Sequence, residues 1–267
     1  MAIRVTALVS AYNAQKFLRG CLDGLMAQSL YKRGELEIIV INSASTDTTQ
    51  AILEREYLPS ITLIQTPFRE SMYAAWNRGI KLAKGAYIVP ANCDDRVSDD
   101  AYDIMADYLD SHPAIDMVCP DSFVTAEENG EWGISGLSCE PPYIRGRLDF
   151  ISSPYPQTMQ CKIGNTPMWR KSLHEAIGYF DLSYLIAGDY EWALRLEVHN
   201  RGIAWISDVL GLFYFHPSTQ GRAFSEQSAY ESRRAVLKWK QVIARVQDGK
   251  RDEEKEAHEA GALSALG

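Results

Sequence analysis

Apolar and polar positions follow two periods along the first 120 residues of this chain. Short runs that are apolar almost throughout, at 3–11 (IRVTALVSA), 36–42 (LEIIVIN), 61–66 (ITLIQT), 86–91 (AYIVPA) and 115–120 (IDMVCP), predict strands. Between them, residues 15–28, 46–57, 71–83 and 99–112 repeat their apolar side chains at helical spacing. Runs such as 38–41, which do not alternate with polar residues, fit strands covered on both faces. Repeated strand–helix–strand units then require right-handed crossovers. The expectation is an α/β fold: a Rossmann-like, mainly parallel sheet with helices on both faces.

From about residue 121 to 160 the periodicity gives way to Gly, Pro, Ser and Tyr, most clearly at 133–146 (GISGLSCEPPYIRG). A connection of that length is expected to help shape a site. Order resumes at 168–180, in the helical pattern 188–202, and in strand-like runs at 203–208 and 210–216. A helix is expected near 226–247. The polar segment that follows has no burial pattern and is expected to be frayed or disordered.

Composition narrows the classes. A net charge of −8 on 267 residues argues against a nucleic-acid binder, which would carry a basic footprint. No apolar run reaches the ~18 residues of a membrane span, and the first residues show no secretory signal. The five cysteines (Cys21, Cys93, Cys119, Cys139 and Cys161) include no C-x-x-C pair and suit a reducing compartment, so a cytoplasmic location is expected.

Ligands of open parallel sheets bind beyond the carboxyl ends of the strands. Those ends read Ser10-Ala11-Tyr12-Asn13, Asn42-Ser43-Ala44-Ser45 and Asn92-Cys93-Asp94-Asp95, all small or polar after apolar strands. Neither a G-x-G-x-x-G nor a G-x-x-x-x-G-K-[ST] run follows the first strand, which counts against Rossmann dinucleotide and P-loop phosphate binding. Ser98, Asp99 and Asp100 read as a helix start. Asp94 and Asp95 precede that start, and adjacent carboxylates on a tight loop repel unless a divalent cation relieves them. Mg2+ or Mn2+ binds through one or two carboxylates together with waters and substrate phosphates; the plain alternative is a solvated turn.

Four further features stand out. Asp189 and Glu191 fall in the first turn of the 188–202 helix, either as dipole-favoured caps with a Glu191–Arg195 pair, or with one of them as a general base. His216 closes a strand ahead of a Gly/Ser/Thr loop, as a structural residue or a metal ligand. Trp169 and Trp192 offer flat apolar faces to a ligand or belong to the core, with core favoured for Trp192. Arg69 meets a phosphate or a neighbouring acid.

Together these segments resemble a family 2 glycosyltransferase of the GT-A fold, over about residues 4 to 220. VTALVSAYN resembles the family's opening strand with its P-T-Y-N end, and EIIVINSASTDTT its E-I-I-V-V-D-D-G-S-T-D-x-T segment. AWNRGIKLAKGAYIVPANCDDR resembles the lead into a D-x-D-D metal motif. GYFDLSYLIAGDYEWALRL resembles the segment bearing the catalytic base, and FYFHPSTQ the closing Y-R-x-H-x-x-S.

The resemblance implies a nucleotide-diphosphate-sugar donor, a Mn2+ or Mg2+ cofactor, and a glycan or lipid-linked acceptor in bacterial-type polysaccharide or glycoconjugate synthesis. By position, Asp94 would hold the metal with His216, and Asp189 would be the base, with Gly188 where glutamate is usual. Ala11, Tyr12, Asn13, Asn42, Asn92, Asp94 and Asp95 would line the nucleotide-sugar site; Trp169 and Glu191 would lie on the acceptor side. It also implies one domain over 1–222, with a donor half (1–120) and an acceptor half (121–222), followed by a C-terminal extension over 223–267. Departures are Asn42 and Ser43 where two aspartates are usual, and Asn92 for the motif's first aspartate. An inverting displacement is expected. The alternatives are a sugar-phosphate nucleotidylyltransferase, whose Gly-rich basic loop is missing here, and a catalytically silent nucleotide-sugar-binding module. The stretch from Arg233 to Arg251 holds seven basic residues and one acid, Asp248. It reads as a packed amphipathic helix, or as one that touches anionic lipid on the inner face of a membrane.

Overall fold

The computed structural model describes residues 2–133, 164–215, 226–240, 242 and 245. The expected loop at 133–146 beyond Gly133, His216 with the segment after it, and most of the basic tail lie outside the described residues.

The apolar runs form strands where the periodicity placed them. These are β1 (Val5–Ala11), β2 (Leu36–Asn42), β3 (Thr62–Gln65) and β4 (Tyr87–Pro90). β1 pairs in parallel with both β2 and β4, and β2 with β3. Further along lie β5 (Arg96–Val97), β6 (Met117–Thr125), β7 (Met168–Arg170) and β8 (Ile203–Tyr214). The eight strands make one sheet in the order β3-β2-β1-β4-β7-β6-β8-β5.

Helices cover both faces, as the unbroken apolar runs require. Within β1, Val5, Ala7, Val9 and Ala11 join one core cluster while Leu8 joins the other; within β2, Ile38 and Val40 divide likewise from Ile39 and Ile41. The first cluster packs under α1 (Leu18–Ala27), α2 (Ser29–Lys32), α3 (Thr49–Ile52, continued by a π turn Leu53–Tyr57) and α5 (Ala101–Ser111). The second packs under α4 (Met72–Leu82), α6 (Leu173–Ala176), α7 (Gly188–Val198) and α8 (residues 226–240).

Three expectations change. The two strand-like runs at 203–216 are one strand, β8, parallel to β6, with irregular register at Pro120–Ser122. β6 therefore runs five residues past the apolar stretch, through Asp121–Thr125, because β8 supplies the pairing that its polar side chains do not announce. Ser98 does not cap α5: its hydroxyl donates to Asp100. The Gln28 side chain, at the end of α1, accepts the Tyr102 N–H at 3.2 Å and donates to the Ser98 carbonyl at 2.6 Å, so the cap is tertiary.

Candidate active site

The strand order 3-2-1-4 reverses direction between β1 and β4, which places a crevice between their carboxyl ends. The loop after β1 is held by the loop after β2. Ala11 is buried and its carbonyl accepts the Ser43 N–H at 2.8 Å. Asn13 takes a left-handed backbone, φ 49°, which asparagine tolerates. Its N–H donates to the Ser45 hydroxyl at 3.0 Å, and its Oδ1 accepts the Thr46 N–H at 2.8 Å. Ala44 is also left-handed, φ 51°, at the position where the family pattern has glycine. Between these two turns Tyr12 is 38% exposed, with the Arg69 guanidinium 4.1 Å above its ring. The Arg69 guanidinium thus stacks on an exposed ring at the crevice.

Asn42 is placed differently from the expectation. It is fully buried, its amide N–H donates to Gln65 at 2.7 Å, and its carbonyl accepts the Ser45 hydroxyl at 2.5 Å. Both ends of the amide brace the strand ends, so this residue supports the crevice from beneath. The cause is Gln65 on β3, whose amide oxygen accepts that N–H; an aspartate at position 42 would have no N–H to give it.

The loop after β4 carries the acids. Asn92 and Asp94 are half-buried and Asp95 is buried. Asp95 accepts the Asn92 amide at 2.9 Å and the Tyr214 N–H at 3.1 Å, tying this loop to the end of β8 just before His216. Burial and the neighbouring Asp94 charge push the Asp95 carboxyl up to about 7. Arg96 donates to the carbonyls of Cys93 at 3.0 Å and Asp95 at 2.7 Å, closing the turn from below. The lack of a side chain at Gly20 admits that guanidinium. Cys93 Sγ lies 3.7 Å from the Ser10 carbonyl, so the Asp94 loop rests on the end of β1.

Among the described residues no three potential metal ligands come together. The donor set still fits a hard cation of the Mg2+ or Mn2+ type. Such ions take one or two carboxylates and complete their shell with water and substrate phosphate, and a cation beside Asp94 would relieve the charge that raises Asp95. Asp94 is the residue that would hold it.

Asp189 sits in the first turn of α7, half-buried. Its Oδ1 accepts the Tyr190 N–H at 2.8 Å and the Tyr73 hydroxyl at 3.0 Å. Tyr73 belongs to the first turn of α4, four residues beyond Arg69. The start of α4 therefore touches the β1 end through Arg69–Tyr12 and the α7 turn through Tyr73–Asp189. The same carboxyl edge thus gathers Tyr12, the Asp94 loop and Asp189.

Residues 6–178 match the family described as Glycosyl transferase family 2. This chain is a family 2 glycosyltransferase.

A "PGL/p-HBAD biosynthesis glycosyltransferase" of Mycobacterium bovis BCG is 24% identical over 192 residues, covering 70% of this chain and 67% of that one. A crystal structure of S. aureus TarS 1–349 with UDP superposes with a TM-score of 0.65 at 19% identity, covering 92% of this chain and 71% of that one. Of the longer TarS chain, this glycosyltransferase spans 37%. A Pyrobaculum calidifontis mannosyltransferase in complex with GDP-Man and Mn2+ gives a TM-score of 0.61 at 16% identity, covering all of this chain and 81% of that one. These likenesses establish the GT-A fold.

In this family 2 chain, two of the expected acceptor-side residues are internal. Trp169 is a core residue: its indole N–H donates to His174 at 2.9 Å and its ring lies 5.3 Å from Trp192. Glu191 is fully buried and accepts from Arg195, Lys238 and Trp239, which is the structural pairing that its i+4 spacing to Arg195 anticipated. β7 carries Trp169 into the sheet, and the short apolar run of that strand hid this from periodicity. Tyr73 went unnoticed in the sequence because it acts across a tertiary contact, whereas Arg96 closes its own turn through the Cys93 and Asp95 carbonyls. The one available signal was Gly188, a glycine where the family pattern has an acid.

Proposed function

We propose that this glycosyltransferase moves a sugar, with inversion, from a nucleotide-diphosphate-sugar to an acceptor hydroxyl, with Asp189 as general base and Asp94 as the metal-holding carboxylate. The observation that carries this reading is the bridge at the start of α4, where Arg69 packs on Tyr12 and Tyr73 donates to Asp189. It joins the carboxylate of α7 to the nucleotide side of the crevice. The acceptor O–H proton passes to the Asp189 carboxylate as the oxygen bonds the anomeric carbon, and the bond from that carbon to the phosphate oxygen breaks with its electron pair. The nucleoside diphosphate leaves carrying the added negative charge. A divalent cation at Asp94 supplies Lewis-acid stabilisation of that charge.

Structures of like fold have been solved with UDP and with GDP-mannose. This chain's Asn42–Gln65 pair replaces a carboxylate, so donor choice is a property of its own pocket. On the outward face of α8, Tyr230 is 62% exposed and Leu237 65%, beside exposed Arg233 and Lys240. This favours a lipid-linked acceptor presented at an anionic membrane surface. No described helix is long and apolar enough to cross a membrane.

A thermal-shift panel of UDP, GDP, dTDP and CDP, each with and without Mn2+, tests the donor reading. A tenfold-saturating nucleotide stabilises the folded state by about 1.4 kcal/mol. Stabilisation by one nucleotide that depends on Mn2+, and its loss in D94N, is expected. Equal response to all four, or none, would overturn the reading.

A further inference from the structure

The base turn of this chain departs from its family's pattern at Gly188, and the structure shows what fills the space. Tyr73 is fully buried. A Cβ at position 188 would lie 2.6 Å from the Tyr73 ring, and that neighbour is a fixed aromatic ring. The ring stacks on Phe180 at 5.6 Å and meets the edge of Trp76 at 5.7 Å, so it has no free rotamer to yield. Its hydroxyl proton is shared between the Ile186 carbonyl at 2.6 Å and Asp189 Oδ1 at 3.0 Å.

We propose that Tyr73 is the positioning residue for Asp189, and that Gly188 is the gap in α7 that admits it. This rests on Asp189 being the base. The phenol ties together both ends of the 186–189 turn, so the carboxylate is fixed by a rigid aromatic stack in α4 as well as by its own helix. The turn therefore needs no acidic side chain at 188, and could not accept one without expelling Tyr73. A reacting group misplaced by ~1 Å costs on the order of a hundredfold in rate, whereas the donor is assigned to Tyr12, Asn13 and Asp94 on the loops after β1 and β4, and the phenol bonds the α7 turn.

Y73F keeps the ring and removes the hydroxyl. Nucleoside diphosphate release is measured over a panel of UDP-, GDP- and dTDP-sugars with Mn2+, using whichever donor the wild type turns over. The expected result is a kcat at least ~10-fold lower with donor KM within ~2-fold and an unchanged melting temperature. G188A, which presses on the ring from the other side, is expected to lower kcat in the same way. Crystal structures of wild type and Y73F give a second readout that needs no turnover: the Asp189 carboxylate is expected to occupy more than one rotamer only in the variant. A single, unmoved Asp189 rotamer in Y73F, or a rate equal to wild type, overturns the proposal. D189N separates the two layers. If D189N is inactive while Y73F is normal, the base assignment stands and the positioning role fails; if D189N is fully active, the base assignment itself fails.

Discussion

The Glu231 carboxylate accepts the backbone N–H of Ala187 at 2.9 Å, two residues before Asp189. It also accepts the N–H groups of Ile186 at 2.8 Å and Leu185 at 3.0 Å, so one buried acid from α8 satisfies three donors at the start of α7. Burial alone would raise this carboxyl, but the N–H groups and the Gln227 amide outweigh it and hold it below the usual range. Replacing it with glutamine leaves one acceptor oxygen for these groups and sets an NH2 against the remaining donors, the Gln227 amide among them. E231Q is expected to lose about 3 kcal/mol in urea unfolding. A variant within 0.5 kcal/mol of wild type would mean that water serves these groups equally well.

Two glycines with opposite surroundings give signed predictions. Gly24 lies inside α1 with open space where a Cβ would go, so G24A is expected to stabilise the fold by about 1 kcal/mol through helix propensity. A Cβ at Gly85 would sit 2.6 Å from the Thr6 backbone nitrogen, at the entry to β4 beside β1. Backbone there cannot move without breaking the parallel ladder, and G85A is expected to cost roughly 3 kcal/mol by overpacking. Paired denaturant melts check both, and a stabilising G85A would show that the strands separate more easily than their packing implies.

His174 makes acid stability predictable. Its Nε2 accepts the Trp169 N–H at 2.9 Å, which places the proton on Nδ1, facing the Gly178 carbonyl. Burial lowers this imidazole from 6.5 to about 4. The unfolded chain therefore takes up a proton near pH 6.5 that the folded chain refuses until about pH 4. The stability contribution is complete above the unfolded value and declines as pH falls toward the folded one, by a total of about 3 kcal/mol. H174Q, which keeps an acceptor for Trp169, is expected to remove that part of the slope between pH 6.5 and 4 while leaving the part due to carboxylates. Parallel slopes for the two proteins would contradict the assignment.

The first 120 residues of the fold were legible because they obey periodicity. Runs such as Ile38–Ile41 are apolar on both faces, and both faces are covered. The later strands were not, for a physical reason. Asp121–Thr125 is held in the sheet by its ladder to β8, and Met168–Arg170 by two antiparallel neighbours, so neither needs a repeating side-chain pattern. The site divides the same way. Tyr12, Asp94 and Asp189 follow strand ends or open a helix, where local order marks them. Tyr73 and Glu231 reach the 185–189 turn from 116 and 44 or more residues away, and no spacing rule spans that distance.

Asp189 and Glu191 stand two residues apart, and their surroundings predict opposite outcomes for similar substitutions. Glu191 is fully buried between Arg195, Lys238 and the Trp239 indole, at 2.9, 2.9 and 3.0 Å. Removing its charge strands two cations, one of them buried with it, and joins α7 to α8 less firmly. E191Q is expected to destabilise the protein by about 3 kcal/mol, while the enzyme that remains folded turns over at close to the wild-type rate. Asp189 is half-buried at the crevice edge, where its carboxylate accepts from the Tyr73 phenol and the Tyr190 N–H, so its loss spares the core. D189N is expected to melt within about 1 kcal/mol of wild type, yet to lower transfer by roughly 10²- to 10⁴-fold. Measuring both stability and turnover for each variant decides between them: were E191Q the inactive but stable protein, the base would have to be reassigned to the buried acid and the crevice redrawn around α8.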